Sequence, residues 1–406
     1  MTGTIALCSD HHFNFEVLRV LSAARYGGAD VSEVLKAAAL LKPGDFESYY
    51  DVFNKLALHI NKQADAINAD KHPVSARDAY FRAATYFRSA EFFLHGHPDD
   101  SRIRSLWDQQ MTSFDKAIAL LPQPGQRFLL KGDGFDIPAI FYPATSGDTA
   151  TPKPTLIVGS GFDGSQEELL HGFGFAALER GYNFMTYEGP GQPTVRQQQG
   201  LGFIHNWEKV VSPVVDHLVE RPEVDSKRLA LVGWSLGGYL CVRAAAFEPR
   251  IAATVAVDGV FDGSSAFSGL LPSDAKAAYE TGDAGQFNGI MEKFLASGEA
   301  PTAARWAVEH GTYSFAVNSF AEFMERVKLM TLAGIADKVK NPVLICEASD
   351  DMFFPGQPAM VKDALGDLGT HVILTDEDAA SAHCHLGAFT FANQIVFDWL
   401  DDTLLK

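Results

Sequence analysis

The sequence predicts an α/β protein with a mostly parallel sheet covered by helices on both faces, preceded by an all-helical region and interrupted by a helical insertion. Three observations carry this. Residues from about 13 to 121 have almost no strand signal. From 123 onward, short apolar runs alternate with helical stretches, the pattern of strand–helix–strand units. About eighty residues of helical character separate the runs at 252 and 342, too many for a simple crossover. The expected boundaries are 1–122 for the helical part and 123–406 for the α/β part, with the insertion at about 263–338.

In the first part, helices fit 15–25, 31–41, 46–67, 75–94 and 101–119. The third-and-fourth spacing of Ala76, Ala79, Tyr80, Ala83, Ala84, Phe87, Ala90 and Leu94 marks one buried face. Ser75 followed by Asp78 predicts an N-terminal cap, and Asp78 with Arg82 a one-turn ion pair. Arg77, Arg82 and Arg88 are expected on a solvated or interhelical face. The prolines and glycine of "LLPQPGQ" end this grammar, and "RFLLKGDGFDIPAIFYPA" predicts a hairpin around Gly132–Gly134. Strands then fit 155–160, 183–188, 229–233, 252–259, 342–348 and 370–375. Helices fit 166–180, 205–220, 236–247 and 356–365, with a closing helix at 387–402.

The chain has 406 residues, 47% hydrophobic and 21% charged, with a formal net charge of −18. That charge repels phosphate and argues against nucleic acid or an anionic membrane as partner. The amino terminus has no basic region followed by an apolar core, and no run approaches the ~18 apolar residues of a membrane span. The cysteines are Cys8, Cys241, Cys346 and Cys384; two lie in core-like segments, which reads as thiol usage of a reducing compartment. The expectation is a cytoplasmic protein acting on a small molecule without a cofactor.

The chemistry is announced by "LALVGWSLGGYLCVRAAAF". A serine flanked at two residues on each side by glycine, after an apolar strand and before a helix, is a nucleophile elbow. The tight turn aims the Ser235 oxygen away from the sheet, and the helix amides behind it, Leu236 first, stabilise an anion there. The alternative is a plain structural turn. Partners follow in the order serine, acid, histidine. "PVLICEASDDMFFPGQ" offers Asp351, four residues before Pro355, with Asp350 as the lesser candidate. "SAHCHLGAF" offers His383 as base, with His385 as the lesser candidate; His371 opens a strand and reads as structural. No cysteine or acidic cluster at ligand spacing accompanies the His-x-His pair, so no metal is expected. The small residues of "IVGSGFDGS" let backbone approach a ligand, which makes the Phe162 amide the second oxyanion donor beside Leu236. In "YEGPGQP", Glu188 and Gln192 are weaker pocket candidates.

Together, "GFDGSQEE", "YEGPGQ", "GWSLGGY", "ASDDMFFPGQ", "AHCHLGA" and the helical "HPVSARDAYFRAATYFRSAEFFLHG" resemble the dihydroxypseudooxynicotine hydrolase-like family of α/β hydrolases over roughly residues 40 to 400. The fermentation-respiration switch family is a looser likeness. The resemblance implies the α/β-hydrolase fold, Ser235 as nucleophile, Asp351 as acid and His383 as base. It implies attack on a carbonyl, in an ester, thioester, lactone or ketone-flanked carbon–carbon bond. The chain looks most like fungal members that accompany polyketide biosynthesis. Pro193, where the family commonly has glycine, and Gly164, where serine is frequent, are departures that alter the pocket. Two other classes stand beside this one: an acyltransferase or cyclase using the same residues, and a binding protein that keeps the fold without catalysis. The helical region is expected to cover the pocket, form a homodimer contact, or both.

Overall fold

A computed structural model describes residues 6–144 and 151–405, so the first five residues of the stretch read for a leader lie outside it. Eight strands form one sheet: β1 Gln126–Lys131, β2 Asp136–Tyr142, β3 Lys153–Gly159, β4 Asn183–Tyr187, β5 Val224–Trp234, β6 Ala253–Val257, β7 Val343–Ala348 and β8 Gly369–Leu374. Their order is β1-β2-β4-β3-β5-β6-β7-β8. The β1–β2 hairpin and the β2–β4 pair are antiparallel; the remaining pairs are parallel. The central strands are buried on both faces, so they read as apolar runs rather than alternations. Parallel neighbours require crossovers, and these place helices over the sheet while leaving the strand ends and following loops along one edge.

Five helices precede the sheet: His11–Ser22, Val31–Ala38, Phe46–Ala66, Pro73–Glu91 and Ser101–Ala119. The first starts earlier than its apolar pattern suggested because Asp10 caps it, accepting from the amides of His12 and Phe13 at 2.9 and 3.0 Å. The expected Ser75 cap is absent. Pro73 occupies the first turn and His72 precedes it, so Ser75 falls inside the helix. Arg82 likewise reaches Glu33 rather than the Asp78 carboxylate. These helices share one apolar core with the sheet. Phe93 packs tilted or edge-on against Phe13, Phe46 and Tyr49 with centroids 4.6–4.9 Å apart, in a cluster continuous with Phe162, Met185 and Trp207.

Five further helices lie between β6 and β7, among them Ala284–Ala296, Thr302–Ser314 and Phe320–Val327. The helix expected at 166–180 is present over 168–179, widened into a π-turn at Leu170–Gly174 before its last stretch, Phe175–Glu179. Just ahead of it the Glu188 carboxylate accepts from the Gln166 amide at 2.8 Å.

A buried charge cluster joins the first helix to the loop after β3. Arg19 pairs with Asp163 and Glu168, and Arg88 lies 3.5 Å from Glu16. Three carboxylates face two guanidinium groups. Burial raises the Glu16 carboxyl to about 7 against the opposing pull of Arg19 and Arg88, and its Oε1 lacks a hydrogen-bond partner. The folded chain therefore binds this proton up to near pH 7, while the unfolded chain releases it near 4.5. More protons are bound folded than unfolded in that window, so this group's contribution to stability falls as pH rises through it. Glu16→Gln mimics the protonated form. Calorimetry is expected to show the variant gaining a few degrees on the wild type between pH 5 and pH 8.

Candidate active site

β5 runs into the turn that carries Ser235 and the helix Gly237–Phe247. Ser235 has φ 62°, a left-handed conformation that costs a non-glycine residue energy and is tolerated only where surroundings impose it. They do so here by exclusion. A Cβ on Gly233 would lie 1.8 Å from the Gly237 carbonyl oxygen, and one on Gly238 would lie 2.0 Å from that of Asp258. Only glycine fits at either place, and the backbone is driven round the serine.

The side-chain oxygen meets the loop after β8. His383 Nε2 lies 2.8 Å from Ser235 Oγ, placed to accept its proton. On the far side of the ring, Nδ1 lies 2.9 Å from Asp351 Oδ2. Asp351 is fixed in turn, since its Oδ1 accepts from the amides of Phe353 and Phe354 at 2.7 and 3.1 Å. Of the lesser candidates, Asp350 is exposed, and His385 points its Nδ1 at the Ala380 carbonyl, 2.9 Å away. His371 pairs with Glu347 between β7 and β8, away from Ser235.

One residue escaped the sequence reading. Asp258, just beyond the end of β6, is fully buried, and its Oδ2 lies 2.8 Å from His383 Nδ1. Its oxygens also accept from the amides of Cys384 and Ala348, at 2.6 and 3.2 Å. The signal was an acidic residue closing the buried run "TVAVD", at the edge of the sheet where the other site residues end. Two carboxylates thus share one imidazole N–H. Burial disfavours the imidazolium, but Asp351 and Asp258 outweigh it and hold His383 well above its ordinary value. For Asp258, burial is outweighed by His383, and the carboxyl is held down at about 2.

Asp258, His383 and Cys384 bring ligand atoms within 4.8 Å of one another. The donor set does not suit a metal, because Nδ1 of His383 faces two carboxylates and burial pushes the Cys384 thiol up to about 12.

The loop after β3 crosses beside the elbow. A Cβ on Gly161 would lie 2.7 Å from the Leu236 nitrogen, so the backbone just before Phe162 passes directly beside the Leu236 amide. Gln192 holds this stretch. Its Nε2 donates to the carbonyls of Ser160 and Gly161 at 2.8 and 3.2 Å, and its Oε1 accepts from the Gly189 amide at 2.9 Å. The Gly161 carbonyl and the Phe162 N–H belong to one trans peptide and point opposite ways. Holding the carbonyl on Gln192 turns the N–H away from it. Glu188, the other weak candidate, is buried and spans the amides of Gln166 and Thr194, behind the site rather than in it.

Ser235 and His383 open on a pocket walled by aromatic rings: Phe15 from the first helix, Phe162 after β3, Trp234 at the end of β5, Phe267 and Trp306 from the insertion, and Phe353 and Phe354 after β7. Arg19 also borders it, with its guanidinium engaged by carboxylates. The Phe15 ring lies 6.0 Å from that of His383, so the N-terminal helices form part of the wall. Among the described residues no helix is long and apolar enough to cross a membrane.

The sequence profile of the alpha/beta hydrolase family matches residues 169–388. "Hydrolase LUC6" of a Fusarium species is 34% identical, with 96% of each chain covered. "20-hydroxy-prefusarin hydrolase FUS2" of Gibberella moniliformis is 33% identical, with the same coverage. Among solved structures, a 2,6-dihydroxy-pseudo-oxynicotine hydrolase superposes with a TM-score of 0.74 at 22% identity, covering 95% of both chains. Matched along nearly its whole length by hydrolases of this kind, the chain belongs to the alpha/beta hydrolase family.

Proposed function

We propose that the chain is a serine-nucleophile hydrolase acting on a carbonyl of a bulky, apolar, aromatic or polyketide-type small molecule. The observation that carries this is the line from Ser235 Oγ through His383 to the carboxylates of Asp351 and Asp258, opening on an aromatic pocket. Neutral His383 takes the Ser235 proton as the oxygen adds to the carbonyl carbon, and Asp351 and Asp258 steady the imidazolium that results. The carbonyl oxygen becomes an anion against the amides of Phe162 and Leu236, whose orientation is set before the substrate arrives. His383 then gives its proton to the leaving atom, an oxygen, a sulfur or an enolate carbon, and an acyl-serine remains. Water, deprotonated by His383, releases the acid. The seven aromatic walls favour a flat, uncharged ligand, in keeping with relatives that are hydrolases, one of them named for 20-hydroxy-prefusarin.

A second outcome follows from the covering of the pocket. Helices His11–Ser22 and Thr302–Ser314 both contribute walls, through Phe15 and Trp306. Where they exclude water, a hydroxyl or amine on the substrate itself can resolve the acyl-serine, giving a ring instead of an acid.

The test is an aryl fluorophosphonate followed by peptide mass spectrometry. The expected result is one adduct, on the peptide containing Ser235, absent from Ser235→Ala. Turnover of an aryl ester without any such adduct would remove the covalent step.

A further inference from the structure

Two buried histidines and a half-buried glutamate take no part in this chemistry, yet they end on its oxyanion loop. His310, on the helix Thr302–Ser314, places Nε2 3.0 Å from the carbonyl oxygen of Phe162. Its Nδ1 lies 2.9 Å from Nδ1 of His95, and Nε2 of His95 lies 2.7 Å from a carboxylate oxygen of Glu91. Aromatic rings hold both imidazoles. Tyr313 stacks on His95 at 4.2 Å, and Trp306 lies nearly parallel to His310 at 5.6 Å.

Proton counting assigns the donors. The Phe162 carbonyl only accepts, so His310 carries its proton on Nε2. Its Nδ1 must then accept, which makes Nδ1 of His95 a donor. Three bonds need three protons; two neutral imidazoles hold two, and the third is shared between Nε2 of His95 and the Glu91 carboxylate. The surroundings agree. Burial resists ionisation of Glu91, but the charge and hydrogen bond of His95 outweigh it and lower the carboxyl. Burial, then the charge of His95, pushes His310 down to about 4, leaving it neutral. The other charged or titratable groups facing the set are Arg88 on the Glu91 helix, Asp163 on the loop, Tyr313 with the Arg196 beside it, and the Arg305–Glu309 pair.

We propose that Glu91, His95 and His310 are positioning residues for the oxyanion hole, a hydrogen-bonded strut by which the N-terminal helices fix the Phe162 peptides. Gln192 holds the peptide before Phe162 through the Gly161 carbonyl, and His310 holds the one after it through the Phe162 carbonyl. With both gripped, the Phe162 N–H has one direction. This rests on the serine reading, since only there does that N–H meet a developing charge.

The test compares wild type, His310→Phe, His310→Gln and Glu91→Gln. Glutamine sets a donor nitrogen about where the imidazole Nε2 stood; phenylalanine does not. Losing a whole oxyanion donor costs roughly 100- to 1,000-fold, so a donor left loose should cost about 10- to 100-fold. His310→Phe is expected to slow phosphonylation of Ser235 and kcat on a 4-nitrophenyl ester by that factor, with KM nearly unchanged; His310→Gln recovers most of it. Glu91→Gln, which takes away the carboxylate that anchors His95, should cost a smaller part of the same factor in kcat. Spectra of 15N-histidine protein supply a readout free of activity: slowly exchanging protons on Nε2 of His310 and on Nδ1 of His95. Wild type lacking those signals, or His310→Phe reacting as fast as wild type, or His310→Gln as slow as His310→Phe, overturns the strut. Signals present in a wild type that is never labelled at Ser235 defeat the serine reading instead, and with it the catalytic purpose of the strut.

Discussion

Ser235→Ala is expected to lose about a million-fold in kcat on an activated aryl ester, with KM changed little. In the proposed mechanism Ser235, His383 and the carboxylates act as one unit. The imidazole has nothing to deprotonate once the hydroxyl is gone, and the hydroxyl is a weak nucleophile once the imidazole is gone. His383→Ala should therefore cost about as much as Ser235→Ala, and the double variant little more than either. Measured by stopped-flow and overnight product accumulation, that non-additivity is the sharper result. Two single losses that multiply would mean that the residues contribute separately and that their 2.8 Å contact is incidental. On the same proposal, the residual rate of all three variants is expected to come from the Phe162 and Leu236 amides and the pocket, which the substitutions leave in place.

The elbow was legible because its cause is local. Gly233, Ser235 and Gly237 sit within five residues, the strand before them is uniformly apolar, and the steric argument for Gly233 needs only the Gly237 carbonyl four residues on. Asp351 and His383 were legible by a weaker rule, chain order after a strand, and the neighbouring Asp350 and His385 show how thin that rule is: one residue on, or two, the side chain turns to solvent or to the Ala380 carbonyl. Asp258 had no such mark. An aspartate after an apolar run is also an ordinary strand-ending residue, and its meaning depends on β6 and β7 being neighbours, which puts it beside the loop that carries His383. His95 and His310 lie 215 residues apart, and no local pattern links them. Helix starts failed for a related reason. Ser75 satisfies a capping pattern, but Pro73 two residues earlier already begins the helix, and a proline in the first turn loses nothing because its missing N–H would have been unpaired.

The second large effect concerns the shared imidazole N–H. In a single-carboxylate site, converting the acid to its amide costs about 10,000-fold, because the geometry is kept but the imidazole proton sits on the wrong nitrogen. Here Asp351 and Asp258 lie 2.9 and 2.8 Å from the same Nδ1, so either can keep the ring in place. Asp351→Asn and Asp258→Asn are each expected to cost about 10- to 100-fold, and the double variant about 10,000-fold. The pH profile assigns the charge as well as the geometry. Catalysis needs His383 neutral, and the two carboxylates raise its pKa, so kcat/KM should fall as pH drops through a value well above that of an ordinary histidine. Removing one negative charge lowers that pKa. The acid limb of each single variant should therefore move to lower pH, and near pH 6 a variant should retain a larger share of its own maximum than the wild type does. A limb that stays fixed in Asp258→Asn would reduce Asp258 to a brace for the Cys384 and Ala348 amides and leave Asp351 as the acid that sets the base.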